Sequence, residues 1–289
     1  MSSRLALTQI HIAAVLFGLT GVFGELIQAS ASAITLGRAG FAVLALAGFA
    51  QLQRTSLLRG LSRRSAFALA GSGALLATHW VTFFISVKVG GIAIATLGFA
   101  SFPAFITLLE GLLFRERIRL PEWILLGLVS AGLMLVVPAP DFSDQGTTGL
   151  AWGVASGLSF ALLALANRRA AQGLNPIQVS YWQNIVVVGL TMPFALAELG
   201  GVRALDWLWL LLLGVFCTGL SHYLFVSSLI RLNARTAGLA IALEPVYAIA
   251  FAWLLFQQQP GPRMIAGAVL ILAASAYSGM RSRPARKTH

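Results

Sequence analysis

Two stretches of fifteen residues decide how this chain is read: Ala100–Phe114, ASFPAFITLLEGLLF, and Ala242–Phe256, ALEPVYAIAFAWLLF. At an offset of 142, Ala100 meets Ala242, Pro103 meets Pro245, Phe105 meets Tyr247, and Leu112-Leu113-Phe114 meets Leu254-Leu255-Phe256. Upstream, His79-Trp80 resembles His222-Tyr223, with Lys88 opposite Arg231; downstream, Gly127 and Gly267 hold comparable places. Self-similarity at a fixed period means that one structural unit is used more than once. The expected division is a first unit over residues 1–140 and a second over 141–289, the latter ending in a basic tail.

Both stretches are almost wholly apolar, and so is the chain around them. Hydrophobic residues make up 58% of the 289 and charged residues 10%, with a mean hydropathy of +0.84. A soluble domain carries about a quarter of its residues as Asp, Glu, Lys or Arg; this chain lacks the charge to cover a water-facing surface. A membrane-crossing helix needs about 20 mostly apolar residues, and ten such runs can be marked: Leu7–Leu26, Ser32–Gln51, Ala66–Ser86, Ile92–Phe114, Pro121–Pro138, Thr147–Asn167, Ile177–Ala197, Trp207–Leu229, Arg235–Phe256 and Arg263–Arg281. Arg4, an apolar run and Ala29-Ser30-Ala31 imitate a signal peptide. The run is long for a signal core, however, and the second unit needs its counterpart, so the first span is expected to be retained.

Short loops rich in Lys and Arg stay on the cytoplasmic side. With the N-terminus inside, inner segments hold sixteen cations, among them Arg54, Arg59, Arg63, Arg64, Arg115, Arg117 and Arg119, while outer segments hold three: Lys88, Arg203 and Arg263. The expectation is an all-α integral membrane protein with ten transmembrane helices and both termini cytoplasmic. Five spans per unit is odd, so the second copy enters the membrane from the opposite side. Inverted repeats of this kind rock around a site near the midplane and give alternating access.

The net charge of +11 comes from 20 basic and 9 acidic residues, nearly all the cations being Arg in short breaks between spans. That pattern is topology rather than nucleic-acid recognition, which groups cations with polar and aromatic residues on a soluble face. Cys217 is the single cysteine, so no internal disulfide forms. A membrane-embedded enzyme would need metal ligands or a nucleophile at membrane depth, yet Asp141, Asp144 and Asp206 all fall in outer loops or at their edges. No phosphate-binding loop is present, so either a proton gradient or the substrate's own gradient must drive transport. No cofactor is implied. A channel would also line itself with a few polar groups; the repeat favours a carrier. The pattern is compatible with a monomer.

A charge at membrane depth costs about 2.5–3.5 kcal/mol on the insertion scale, so each one is a site candidate. Glu244 stands near mid-membrane beside Pro245, which frees a carbonyl one turn earlier; it suits an ammonium or a proton, and equally a structural pairing with Arg38. Arg38, about a third of the way in, can hold a carboxylate in bidentate fashion. The equivalent region of the second unit offers Trp182-Gln183-Asn184 instead of a cation. His79 and His222 occupy matching positions and can titrate near neutral pH. Phe83, Phe99, Phe102, Trp182 and Tyr247 are candidate aromatic walls, although most Phe must face lipid or core. Glu110 reads as an interfacial ion-pair partner, Glu25 and Lys88 belong at the outer mouth, and Asn167 and Arg168 at the inner one. Gly149, Gly153 and Gly157 read as a helix-packing stripe.

Ten spans in a 5+5 arrangement, Gly37-Arg38 in the second, Pro103 in the fourth, Phe114-Arg115-Glu116-Arg117 at its end and the Gly127–Gly132 span together resemble the EamA-type drug/metabolite transporter superfamily over nearly the whole chain. Within it, the sequence is most similar to the bacterial YddG-type exporters. That resemblance implies export of aromatic and other neutral amino acids across the bacterial inner membrane, with the lipid bilayer and the small-molecule substrate as the partners. Gln257-Gln258-Gln259 departs from the pattern, which repeats in the second unit the acidic residue seen at Glu116. One acid, one Arg, two His and aromatics suit a zwitterion with an apolar side chain; a lipophilic cation would need only Glu244 and the aromatics.

Overall fold

The structure is a computed structural model describing residues 3–114, 118, 120–136, 143–170, 174–228 and 243–281. It is all-helical over these residues. In chain order the helices are α1 (Ser3–Leu26), α2 (Ala31–Leu52), α3 (Arg63–Phe99), α4 (Phe102–Phe114), α5 (Leu120–Val136), α6 (Gln145–Ala170), α7 (Pro176–Ala195), α8 (Ala204–Gly214), α9 (Ser221–Ser228), α10 (Glu244–Phe256) and α11 (Pro262–Arg281). A 3-10 turn, Leu196–Gly201, extends α7, and a π-helical turn, Val215–Leu220, joins α8 to α9. Among the described residues, six helical segments are long and apolar enough to cross a membrane, and four shorter ones are apolar.

Local chemistry sets several starts. The Ser30, Ser62 and Asn175 side chains accept from the backbone N–H groups of Ala33, Ser65 and Ile177 at 3.2, 3.1 and 2.9 Å. Such caps satisfy donors that a helix end leaves orphaned. Pro176 follows its cap at the first helical position, where its missing N–H costs nothing.

Two expected spans are drawn differently. The break expected between Ala66–Ser86 and Ile92–Phe114 falls at Gly91: α3 is two helical segments joined across a kink there, at a φ of 81° and ψ of 170° open to glycine, and the chain folds back so that the Phe99 ring lies 5.1 Å from that of His79, twenty residues earlier. A second break comes at Ala100–Ser101, inside the span expected over Ile92–Phe114. Pro103 cannot donate to the turn before it, and Ser101 bonds back to the Gly98 carbonyl through both its N–H, 3.2 Å, and its hydroxyl, 2.7 Å. In the span expected over Arg235–Phe256, α10 begins at Glu244; residues 235–242 lie outside the described set. Phe102 and Glu244 are 142 residues apart, as are the starts of α5 and α11 at Leu120 and Pro262. The offset that aligned two sequences therefore aligns helix boundaries too.

Helices pair across the two copies. α2 packs on α7, α5 on α11, α3 on α6 and α1 on α10. The glycine stripe of α6 supplies the closest approach: a Cβ on Gly149 would sit 2.5 Å from the Gly90 Cα, and one on Gly153 3.0 Å from the Ala95 carbonyl. Ser86 donates to the Gly149 carbonyl at 2.6 Å across this contact. Gly132 and Gly267 bring α5 and α11 together in the same way. One main core, including Val22, Ile27, Ile34, Trp80, Phe84, Val87, Leu210 and Leu213, lies among α1, α2, α3 and α8. It closes over the buried polar group described next.

Candidate substrate site

Arg38 is the eighth residue of α2, about 11 Å along the axis from its start at 1.5 Å per residue. It is 5% exposed. Its backbone carbonyl meets Gly214 of α8, where a Cβ would approach to 2.6 Å. Its Nε donates to the Thr218 hydroxyl at 2.7 Å. Its guanidinium carbon lies 4.0 Å from the centre of the Trp80 ring, a cation–π contact, with Phe84 at 5.9 Å. Among the described residues Arg38 makes no other hydrogen bond, so the edge carrying its two terminal nitrogens is uncommitted.

Glu244 opens α10 and is half-buried. It lies within Coulombic range of Arg38. No Arg38 nitrogen comes within 4.0 Å of its carboxylate, and among the described residues that carboxylate has no hydrogen bond. A guanidinium and a carboxylate thus share the interior without closing on each other.

His79, on α3 and also within Coulombic range of Arg38, is 8% exposed. Its Nδ1 is 2.7 Å from the Ser156 hydroxyl and 3.2 Å from the Ser156 carbonyl. A carbonyl only accepts, and the one Ser156 hydroxyl proton goes to the His79 carbonyl at 3.0 Å. Nδ1 therefore carries a hydrogen and donates, which leaves Nε2 to present a lone pair whenever the ring is neutral. Around the imidazole stand Phe99 and Phe160, each with its centroid at 5.1 Å, and Phe83 at 6.4 Å. Phe102 stacks on Phe99 at 5.3 Å. Tyr247, one turn into α10 and half-buried, faces α1 where Gly18 leaves room for it.

Arg38, Glu244, His79, Phe83 and Phe99 are thus gathered from α2, α10 and α3. Trp182 is elsewhere: its Nε1 donates to the Leu57 carbonyl at 2.8 Å in the α2–α3 connection, which Gln178 also holds through Leu57 and Arg59. His222 is half-buried on α9, beside Tyr223, whose ring stacks on Phe49 at 5.4 Å. No ring contact or hydrogen bond joins His222 to the Arg38 group among the described residues. Gln183, at the eighth position of α7 as Arg38 is of α2, donates to Ser72 at 2.8 Å and to Asn167 at 2.7 Å. No cluster of three metal-binding side chains occurs among the described residues.

Trp80, Thr218, Ser156 and Phe160 are the participants that sequence reasoning passed over. Trp80 was within reach as the neighbour of His79. Thr218 carries no sequence signal, because its place depends on the π-helical turn.

Away from this group, Asp206 is fully buried and takes two hydrogen bonds from Arg203, at 2.7 and 2.8 Å, and one from the Gln28 N–H at 3.2 Å. Lys88 donates to the Ile27 carbonyl at 2.5 Å and lies within Coulombic range of Glu25, Asp206 and Arg203. This polar end lies opposite the one where α7 grips the arginine-rich α2–α3 connection.

A buried, unclosed charge pair beneath aromatic side chains, in a bundle of paired apolar helices, defines a membrane protein that handles a small solute. The chain belongs to the EamA-like transporter family, whose profile matches it twice, over residues 4–137 and 147–280. It is a multi-pass membrane protein of a transporter family. An uncharacterized transporter of Bacillus subtilis (strain 168) is 24% identical over 284 residues, covering 96% of this chain and 90% of that one. An uncharacterized transporter of Archaeoglobus fulgidus is 26% identical over 266 residues, covering 91% and 92%. One solved structure, 17% identical, superposes with a TM-score of 0.63 over 96% of each chain, which supports the fold.

Proposed function

We propose that this protein is a secondary exporter of small zwitterions, foremost aromatic and other neutral amino acids of the kind handled by YddG-type carriers. The observation that carries this reading is the Arg38–Glu244 pair, two opposite charges in Coulombic range that do not touch. Holding buried charges apart forfeits the attraction that would offset their desolvation. An amino acid supplies the missing groups in the right polarity: its carboxylate on the terminal edge of Arg38, its ammonium on Glu244, with Nε2 of neutral His79 as a further acceptor. Its side chain then lies against Phe99 and Tyr247.

The rest of the proposal follows from charge and repeat. Ten spans in two inverted units, residues 1–140 and 141–289, put the Lys88–Asp206 end outside and the Arg54–Arg64 connection inside, with both termini cytoplasmic, in the bacterial inner membrane. Either a proton or the substrate gradient supplies the drive. Tight packing of residues from Ile27 to Leu213 above Arg38 supports a state closed at the Lys88 end, and rocking of one unit on the other along the α3–α6 glycine contact would open it.

Flux of radiolabelled phenylalanine and threonine and of a quaternary-ammonium dye into proteoliposomes tests this. Saturable amino-acid flux, with phenylalanine and threonine competing, is the expected result. Dye flux without amino-acid flux would assign the protein to lipophilic cations, and no saturable flux of either would sink the substrate assignment.

A further inference from the structure

The π-helical turn Val215–Leu220 sits where α8 comes closest to α2. Gly214 lies backbone to backbone with Arg38, and the extra residue of the π turn follows at once. Such turns are rare and concentrate at functional sites. Here the extra residue has a definite effect. The Thr218 hydroxyl donates to the Leu213 carbonyl five residues back, at 3.1 Å, the spacing that a π turn offers. Its single proton is then spent, and its lone pair is left for the Arg38 Nε at 2.7 Å. In an uninterrupted α-helix, Thr218 would be rotated by about 100° and could not make both bonds.

Arg38 is therefore held at two places, at Nε by Thr218 and across its face by Trp80 at 4.0 Å. A guanidinium has five N–H donors in a rigid fork. Fixing Nε and the plane fixes the direction in which the other four point, and those four have no partner among the described residues. Thr218 belongs to the second unit and Arg38 to the first, so each unit supplies part of one anion-receiving edge.

We infer that Thr218, together with Trp80, is a positioning residue that makes transport selective for substrates bearing a carboxylate, by presenting the terminal edge of Arg38. This rests on the reading of Arg38 as the receiver of the substrate's carboxylate. The ammonium and side-chain contacts, at Glu244 and the rings, do not depend on it.

The test compares Thr218→Val, Thr218→Ser and Trp80→Leu with wild type in proteoliposomes. Two readouts are taken: phenylalanine flux, and the inhibition constant of phenethylamine, which keeps the ring and ammonium but has no carboxylate. Thr218→Val removes the hydroxyl at constant shape and Thr218→Ser keeps it. The expected result is that Thr218→Val raises KM for phenylalanine about tenfold with kcat within about twofold, the signature of lost binding common to ground and transition states. Thr218→Ser stays near wild type, and phenethylamine inhibits all forms alike. Trp80→Leu, which removes the second anchor by another route, gives the same split even where Thr218→Val does not fold. Equal KM values for the Val and Ser forms, or phenethylamine inhibition weakening in step with phenylalanine, would overturn the inference while leaving the exporter intact. Wild-type protein without amino-acid flux would instead remove the exporter reading, and this inference with it.

Discussion

Arg203 and Arg38 show two ways of keeping a guanidinium near a carboxylate. Arg203, the residue that precedes α8, closes on Asp206 in its first turn with two bonds of 2.7 and 2.8 Å, and the buried acid is further satisfied by the Gln28 N–H. Arg38 faces Glu244 from a different helix, stays beyond 4.0 Å, and among the described residues spends its one hydrogen bond on a neutral hydroxyl. The chain can evidently build a closed pair where one serves, at a rim where Arg203 stays partly in water. Deeper, where an unpaired charge costs more, it leaves the pair open. Stability alone does not select that arrangement; the zwitterion of the proposed function would.

Removing one side of the open pair gives the largest expected effect. Glu244→Gln should lower kcat/KM for phenylalanine about 100-fold, since truncating one partner of a buried charge contact costs about 2–5 kcal/mol and 1.4 kcal/mol is a factor of ten. Unchanged flux would mean that Glu244 neither binds the ammonium nor passes a proton. Arg38→Lys comes next. It keeps the charge but loses the fork and the flat face on Trp80, so a rise in KM of about 30-fold is expected from initial rates over a concentration series. A lysine that works as well as arginine would turn the open pair into a mere charge balance.

Which parts could be read from the sequence follows the same division. Arg38, His79 and Glu244 stand out in the chain because ionisable residues at membrane depth are scarce, and the structure brings these three together. The repeat was readable because Pro103 and Pro245 each stand next to a helix start, so the offset of 142 reappears in Phe102 and Glu244. Trp182 and Phe99 looked alike as aromatics in apolar runs, yet one bonds a connection and the other stacks on His79. Residue type does not say which face of a helix it will occupy. Thr218 was invisible for a stronger reason: it is aimed by a π turn that follows the Gly214–α2 contact and that no local motif marks. The further break at Ala100–Ser101 was missed because the apolar run Ile92–Phe114 continues through it, and only the bonds from Ser101 back to the Gly98 carbonyl mark the helix end there.

The repeat offers its own control. Gln183 holds in α7 the position that Arg38 holds in α2, but its amide is spent between Ser72 and Asn167. Such interhelical bonds are worth about 0.6 kcal/mol on average and about 1.7 at most. Gln183→Leu should therefore lower stability by about 1 kcal/mol in a reversible unfolding assay and leave KM within about twofold. A KM shift as large as that of Arg38→Lys would show that substrate visits both units, and the contrast between a charged and a neutral half would fail.

The smallest effect belongs to the closed pair. Arg203 is 44% exposed, and exposed ion pairs contribute little even with good geometry, because water and salt screen them. Asp206 keeps the Gln28 N–H when Arg203 is removed, so Arg203→Gln strands no buried acid without a donor. Phenylalanine KM should stay within about twofold of wild type, at low salt and at high salt alike. Screening falls off over about 10 Å at 0.1 M salt, so a rim charge that did reach the site would betray itself by a KM effect that fades as salt is raised. A salt-sensitive shift would make the Lys88–Asp206 end part of the substrate's path, steering zwitterions by charge, rather than a clasp on the α1–α2 connection.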